Sequence, residues 1–579
     1  MLFPCTETRF KMKFKIPRKA GFSRMHSVVN PNVMPITFND TDLNRMFAVL
    51  FERCVKKGGV NPARTKKDFL PDGELNLENN LIPKLVKNSK MSGFDTPDGH
   101  EILLHWIKTS IIEFTTEGKT SKGEQIDFMR FLNIAGYRSG LPKSENRSST
   151  RNVDITIFKS LISYLQSLPD CEKPTQEIHQ KVIATSLAQG VDFEPAKQPW
   201  EKPIFNEVDV VDINTLLQLR LLEHFEVKAM RGTEKKKTSN SDLDIHAIPF
   251  NEPLLDLAKD FFHITSAFAN VSAPELLSMY KSIFVIRLYR LPILLAMNLQ
   301  AVSAGLTPGQ SPHQMFFDFT RSKKSFAYKL ANESVLTDIS RTSSIIKHFV
   351  ILNESRNMAL KNKDRENEFN KLSPDQQISY LYKFSESEIA SDKASELIAE
   401  MERALEDKGT EGEESLETMH QLENENSFQL LIELILLDVQ KTGLDGVRKW
   451  FSTVGGFRET GSANSVSILS GESRFISTWH YSMSDSVLNT LMYLCFLNEN
   501  GSVIDRPEIA LSDVLSKLRE RYGILINEPP HGFDSPEHHA AADENFSAFK
   551  ARIKQLGWFA GLSDDFDAQY ISRPSGDKK

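Results

Sequence analysis

The chain has 579 residues and a mass of 65.7 kDa, enough for three units at about 100–200 residues per domain. Hydrophobic residues make up 40% and charged residues 25%, close to the globular average, so sizeable cores can be buried. A net charge of −7 and a pI near 6.1 exclude a polycation drawn to nucleic acid by charge alone, and any such binding must be local.

At the N-terminus, MLFPCTETRFKMKFKIPRKAGFSR scatters apolar residues between Lys11, Lys13, Lys15, Arg18 and Lys19 and lacks the continuous apolar core of a secretory signal. Cys5, Cys54, Cys171 and Cys495 lie far apart without a CxxC pair, so no disulfide framework, zinc ribbon or redox motif is expected. A cytoplasmic location fits. Amphipathic helices are predicted over 41–56, 100–114, 155–168, 211–229, 252–269 and 427–441 from apolar repeats at helical spacing. Strand-like alternation is scarce before residue 470, which predicts a mainly α protein. The most apolar stretch, SIFVIRLYRLPILLAMNLQAV (282–302), is interrupted by Arg287, Arg290 and Pro292. It reads as a buried helix pair broken at the proline, with no membrane span.

Two boundaries stand out. KAMRGTEKKKTSNSD (228–242) is polar and basic and suits a linker; 385–426 is strongly acidic, helical in its first half and a solvated connector around Gly409 to Glu414. The predicted organisation is a helical N-terminal domain with basic loops (1–240), a helical central domain carrying the acidic segment (241–470), and a C-terminal domain (471–579).

Chemical motifs are sparse. EGKTSKG (117–123) has Glu113 where a phosphate-binding loop needs glycine. His100 and His105 are five residues apart, about 500° around a helix, and cannot share a metal. His531, Asp534, His538 and His539 in HGFDSPEHH, and Asp72 and Glu74 in PDGELN, are the candidate ligands of a divergent metal-dependent nuclease; Asp242, Asp244 and His246 form a weaker set. The main reading assigns no catalytic residue, metal or cofactor. Basic loops recur at 11–19, 56–67, 136–151, 228–237 and 321–324; in the third, Tyr137, Arg138, Lys143, Arg147 and Arg151 alternate with Ser and Asn donors suited to phosphate oxygens.

The C-terminal region has its own pattern. Residues 483–501 and 506–523 read as helices, the second entered at Pro507 and closed by Gly523; GILIN follows as a strand, and 538–559 as a third helix. Its Phe546, Phe549, Ile553 and Leu556 lie on one face, with Lys550, Arg552 and Lys554 around the other. Two strand-like segments around Ser563, Asp564 and Asp565 form a small β-hairpin. In this element order, the LGWF step and the strand Ala568 to Ile571, residues 476–574 resemble a winged helix-turn-helix. The resemblance implies that the third helix enters the DNA major groove with Lys550, Arg552 and Lys554, and that Arg573 lies beyond the wing. The acidic turn at Asp564, Asp565 and Asp567, and Asp543 and Glu544 at the start of that helix, depart from the pattern.

FRETGSANSVSILSGESRFISTWHYSMSDSVLNTLMYL (457–494), with ERYGILINEPP and ENFSAFKARIKQLGWFAGLSDDF, is similar to large proteins of prokaryotic anti-phage defence clusters, methylation-associated and BREX-like systems in particular. That resemblance implies an accessory subunit with duplex DNA and other defence-system proteins as partners. The expectation is therefore a non-enzymatic DNA-binding or scaffolding subunit; the nuclease, and a protein-interaction scaffold using the acidic segment without nucleic-acid contact, stand as alternatives.

Overall fold

The computed structural model describes residues 13–41, 43–55, 82–86, 92–106, 150–169, 171–182, 243–268, 273–309, 312–422, 426–457, 466–506, 508–558 and 569–573, a few single positions, and the backbone of four strands between 112 and 205. The protein is mainly α-helical. Its helices are α1 (Leu43–Val55), α2 (Pro97–Trp106), α3 (Val153–Gln166), α4 (Glu252–Ala267), α5 (Ala273–Ser303), α6 (Phe326–Arg341), α7 (Ile345–Ala359), α8 (Pro374–Ser385), α9 (Glu388–Glu406), α10 (Glu413–Gln421), α11 (Ser427–Val454), α12 (Asp485–Cys495), α13 (Leu511–Tyr522) and α14 (Pro536–Gln555), with shorter turns between them. The strands pair two by two: β1 (Ile112–Lys119) with β2 (Gln125–Phe131), β3 (Val191–Glu194) with β4 (Lys202–Phe205), β5 (Met315–Phe316) with β9 (Ile524–Leu525), β6 (Leu469–Glu472) with β7 (Phe475–Tyr481), and β8 (Glu508–Ala510) with β10 (Tyr570–Ser572).

The strands before residue 470 correct the sequence reading. The helix expected over 100–114 ends at Trp106, and Ile112–Lys119 forms the first strand of an antiparallel hairpin. The β-branched run Ile111, Ile112, Thr115 and Thr116 explains why: such side chains favour a pleated surface over a helix. The helix expected over 211–229 and the linker at 228–242 lie outside the described residues, apart from Leu216.

Helix α5 lies at the centre, packed by α4, α6, α7, α8, α11 and α12. Tyr280, Ile283, Phe284, Val285, Ile286, Leu288, Tyr289, Ile293 and Leu299 are fully buried, so it buries apolar side chains on every side, as a core helix does. Residues Glu275–Ser303 have the length and hydropathy to cross a membrane, but 83% of the apolar window is buried inside the protein.

Pro292 does not break α5, contrary to the expected helix pair; the helix runs through it for 31 residues. A proline inside a helix has no N–H for the carbonyl four residues earlier, here that of Leu288. The structure supplies another donor: the Trp450 indole N–H of α11 donates to the Leu288 carbonyl at 3.2 Å, and Trp450 is fully buried. The Trp450 ring also meets Phe38 edge-on, with centroids 5.2 Å apart, which ties the N-terminal segment to the same point.

The basic segment 11–19, expected as a free loop, is accounted for from Lys13 onward. It alternates like a strand, with Phe14 and Ile16 buried and Lys13 and Lys15 outward. Lys13 pairs with Glu414 at 3.1 Å, Lys15 with Asp438 at 2.6 Å and Lys19 with Asp407 at 3.0 Å. The acidic segment is thus met within the chain, and the stretch expected as a connector at 409–414 is a 3-10 turn leading into α10. The lysines are more than half exposed, so each pair contributes at most about 1 kcal/mol. Burial of Phe14 and Ile16, about 1.5–3 kcal/mol each, is the stronger anchor.

In the C-terminal region the second helix starts at Leu511, not at the expected Pro507, because Glu508–Ala510 pairs with β10. The strand after Gly523 forms as expected but pairs in parallel with Met315–Phe316. Buried Asn545 of α14 secures that junction: its amide donates to the Phe317 and Ile526 carbonyls at 2.8 and 2.9 Å, and its oxygen accepts from the Phe319 N–H at 2.7 Å.

Trp450→Phe leaves the Leu288 carbonyl buried and unpaired and should cost about 1–3 kcal/mol. With Pro292→Ala an N–H returns to the helix, and the same substitution should cost about 1 kcal/mol less. Urea unfolding of the four proteins measures this, and equal costs in both backgrounds would show that the indole does not serve that carbonyl.

Candidate functional site

Among the described residues, those expected on DNA do not form one free basic face. Arg552 is held by Asp485, with its Nε donating to Oδ1 at 2.8 Å and its Nη2 contacting Oδ2; Arg321 reaches the same carboxylate at 3.1 Å. Lys550 lies over the Phe546 ring at 4.6 Å and Arg573 over Phe496 at 5.8 Å, while Lys554 is exposed. The outward residues of α14 include Asp543, Ser547, Ala551 and Lys554, a mixed stripe. Its N-terminal half packs on α6 through Ala541 and Ala542 against Ala327, Leu330 and Ala331, and Glu544 accepts the Phe326 N–H at 3.2 Å. Arg151 pairs with Asp40 at 2.9 Å; Arg138, Lys143 and Arg147 lie outside the described residues.

The nuclease ligand sets fare similarly. His538 and His539 are in the first turn of α14, near the helix start expected at 538, and His538 faces Glu333 at 3.3 Å. The His531 backbone N–H donates to Gln314. Asp244 accepts from the His246 N–H as the cap of a short turn. Asp72, Glu74 and Asp242 lie outside the described residues, and among the described residues no group of three or more potential metal ligands converges.

Chemistry concentrates instead around the two arginines of α5. Arg287, 5% exposed, donates from Nε to Asp260 at 2.8 Å and from Nη1 to Asp256 at 3.2 Å and the Arg521 carbonyl at 3.1 Å, and lies 4.7 Å over the Tyr522 ring. Arg521 reaches the other Asp260 oxygen at 2.6 Å. Burial opposes the Arg287 charge, yet Asp260, Tyr522 and Asp256 outweigh it and its pKa is raised. Beside them His263 is pushed down to about 4, by burial first and then by Arg521.

One turn further along, Arg290 donates from Nε to His313 Nδ1 at 3.2 Å. Arginine can only donate, so His313 Nδ1 accepts and its proton sits on Nε2, which donates to Asp338 Oδ2 at 2.9 Å. Tyr481 donates to the same oxygen at 2.5 Å, and Arg341 donates to Oδ1 at 3.0 Å. Burial, against the pull of Asp338, lowers the His313 pKa and keeps the ring neutral; Arg290 is lowered to about 10, by burial and by Arg287, and remains charged at neutral pH. His313, Asp338 and Tyr481 are at most 1% exposed and touch no solvent-borne substrate. Arg341 is partly exposed and carries this network to a surface cleft lined by Met297, Gln314, Thr337, His531 and Phe533.

Gly523 lies between the two networks. It ends α13 with φ 66°, and a Cβ there would stand 2.1 Å from the His313 carbonyl oxygen and 2.9 Å from Arg290 Nη2. The sequence signals for this site were Arg287 and Arg290 inside an apolar helix; their partners Asp260, Asp338, His313 and Tyr481 are scattered through the chain and carry no motif.

Fold and site together define a mainly α-helical protein organised by buried charge networks, with a basic N-terminal segment folded onto its own acidic helices. Residues 23–574 match the model of the family described as methylation-associated defense system protein MAD7, and the chain belongs to that family. It is thus a component of a methylation-associated defence system. No curated protein and no solved structure matches it significantly.

Gly523→Ala should lower stability by at least about 2 kcal/mol, since a left-handed residue must also push a backbone carbonyl aside. Thermal unfolding checks it; a shift no larger than that of an exposed Gly532→Ala would contradict this packing. His263 and His348 are both pushed down to about 4 by burial, from an ordinary value of 6.5. Both native rings release their protons at lower pH than the unfolded chain, so stability should be full above pH 6.5 and fall as pH drops towards 4. Besides its partner Arg521, His263 faces Asp260 and Lys259, and His348 faces Tyr382 and Lys347. Urea midpoints across that range should decline less steeply for His348→Gln than for the parent protein.

Proposed function

We propose that this chain is a non-enzymatic scaffolding subunit of its methylation-associated defence system, acting in the cytoplasm and docking other proteins of that system. One observation carries the reading: among the described residues, Arg552 and Arg151 of the cations expected to meet DNA are paired within the chain, on Asp485 and Asp40, as are Arg321, Lys13, Lys15 and Lys19 of the basic loops, on Asp485, Glu414, Asp438 and Asp407. Phosphate binding would have to break those contacts first. The extended networks around Arg287 and Arg290 give the frame the rigidity that a docking platform needs.

A second reading, DNA contact by a C-terminal winged helix, is favoured by the order α12, β8, α13, α14, β10 and by the antiparallel pairing of β8 with β10. Against it stand α6 packed along α14 and the 13-residue connection 523–535, which contains β9.

Co-expression with the other proteins of the system should yield a complex stable at about 0.5 M salt, where phosphate contacts are largely lost. Duplex DNA binding by the isolated chain near 0.15 M salt should be weak and unchanged by Lys554→Glu. Tight binding that weakens with Lys550→Glu and Lys554→Glu, and no protein complex, would overturn the scaffold in favour of the winged helix. Arg552→Ala should act on stability, lowering the melting temperature by leaving Asp485 with Arg321 alone.

A further inference from the structure

We propose that the cleft between α6 and the loop 530–533 binds an organic phosphate of nucleotide size, with Arg341 as the phosphate-binding residue. The inference is independent of the scaffold reading. The cleft has a volume of about 390 Å³ and is lined by Met297, Gln314, Thr337, Arg341, His531 and Phe533, among others. That volume lies towards the lower end of the range of ligand pockets, about 300–1,000 Å³, and still far exceeds a bare anion.

Arg341 is prepared for this role from behind. Its Nη1 donates to Asp338 Oδ1 at 3.0 Å, and Asp338 is 1% exposed and fixed through its other oxygen by His313 and Tyr481. A guanidinium has five N–H donors, so this anchor leaves donors for a ligand while restricting the side chain's freedom, which lowers the entropic cost of binding. A planar fork of that kind matches the oxygens of a phosphate.

Charge points the same way. Arg341 bonds the Asp338 carboxylate directly and Arg290 reaches it only through the neutral His313, so the two arginines and one carboxylate keep one excess positive charge. Among the described residues no aspartate or glutamate lines the cleft. Thr337, one turn before Arg341, adds a hydroxyl. The Gln314 side-chain oxygen is occupied by the His531 N–H at 2.9 Å, which turns its NH₂ group into the available donor. Met297 and Phe533 supply apolar surface for a planar body. A base with one phosphate uses both parts of this lining.

The test is calorimetric titration of the full chain with the four ribonucleoside 5′-monophosphates, the matching nucleosides and inorganic phosphate. At least one monophosphate should saturate, with its nucleoside and inorganic phosphate each ~10-fold weaker or more, and Arg341→Gln should weaken it ~10–100-fold, the worth of a charge-assisted hydrogen bond. Because Arg341→Gln also removes a partner of Asp338, Thr337→Trp serves as a second variant that fills the cleft and leaves the buried network intact. It should abolish binding with the melting temperature unchanged. No saturation by any monophosphate up to about 10 mM, binding by nucleoside or phosphate alone as tight as by the nucleotide, or unaltered binding in folded Arg341→Gln or Thr337→Trp would each overturn the proposal.

Discussion

Two guanidinium groups one turn apart on a buried helix are the constraint on which most of this fold depends. A charge taken out of water costs several kcal/mol unless partners surround it, so Arg287 and Arg290 cannot be packed like the leucines around them. Arg287 requires Asp260 and Asp256 of α4 and the last turn of α13; Arg290 requires His313, and through it Asp338 of α6 and Tyr481 of β7. Four elements far apart in the chain are thereby located relative to α5 by directional contacts. Apolar packing alone would tolerate sliding; these contacts do not.

The same helix carries a second demand. Pro292 frees a carbonyl in the middle of the core, and Trp450 answers it. Since Trp450 also touches Phe38, the position of the N-terminal segment follows from a proline more than two hundred residues away in sequence. The N-terminal lysines then lie against the acidic helices, where weak surface pairs set register and the buried Phe14 and Ile16 hold the segment down. A segment that looked like a solvated basic loop and another that looked like a partner surface meet in one internal contact.

Much of the helical framework was legible from apolar periodicity, because α1, α3, α4, α11 and α12 each bury apolar residues at helical spacing. Periodicity misled where a β-branched run followed a helix, at Ile111 to Thr116, and where the helix was buried all round, at 282–302. In α5 the arginines and the proline looked like interruptions, since the rule that ends helices at proline assumes that no other group will satisfy the free carbonyl. The third helix was recognised, but a sequence pattern cannot say which face is covered by another part of the chain. Ala541 and Ala542 looked like filler, and they are where α6 comes close. For the site, the cations were visible and their partners were not: a lone aspartate in a helix, such as Asp338, looks the same whether it faces water or a buried histidine and tyrosine.

The short strand after Gly523 shows how local pattern and tertiary context divide the work. Its apolar residues and its glycine stop were enough to predict a strand, but which strand it joins depends on the residues just before it. Arg521 and Tyr522 belong to the Arg287 network, and the Gly523 carbonyl accepts the Met315 N–H at 2.7 Å, two residues from His313. A side chain at 523 would separate the two networks; its absence lets them close against each other. The strand therefore continues along β5, and the C-terminal helices are joined to the helical core at its most polar point.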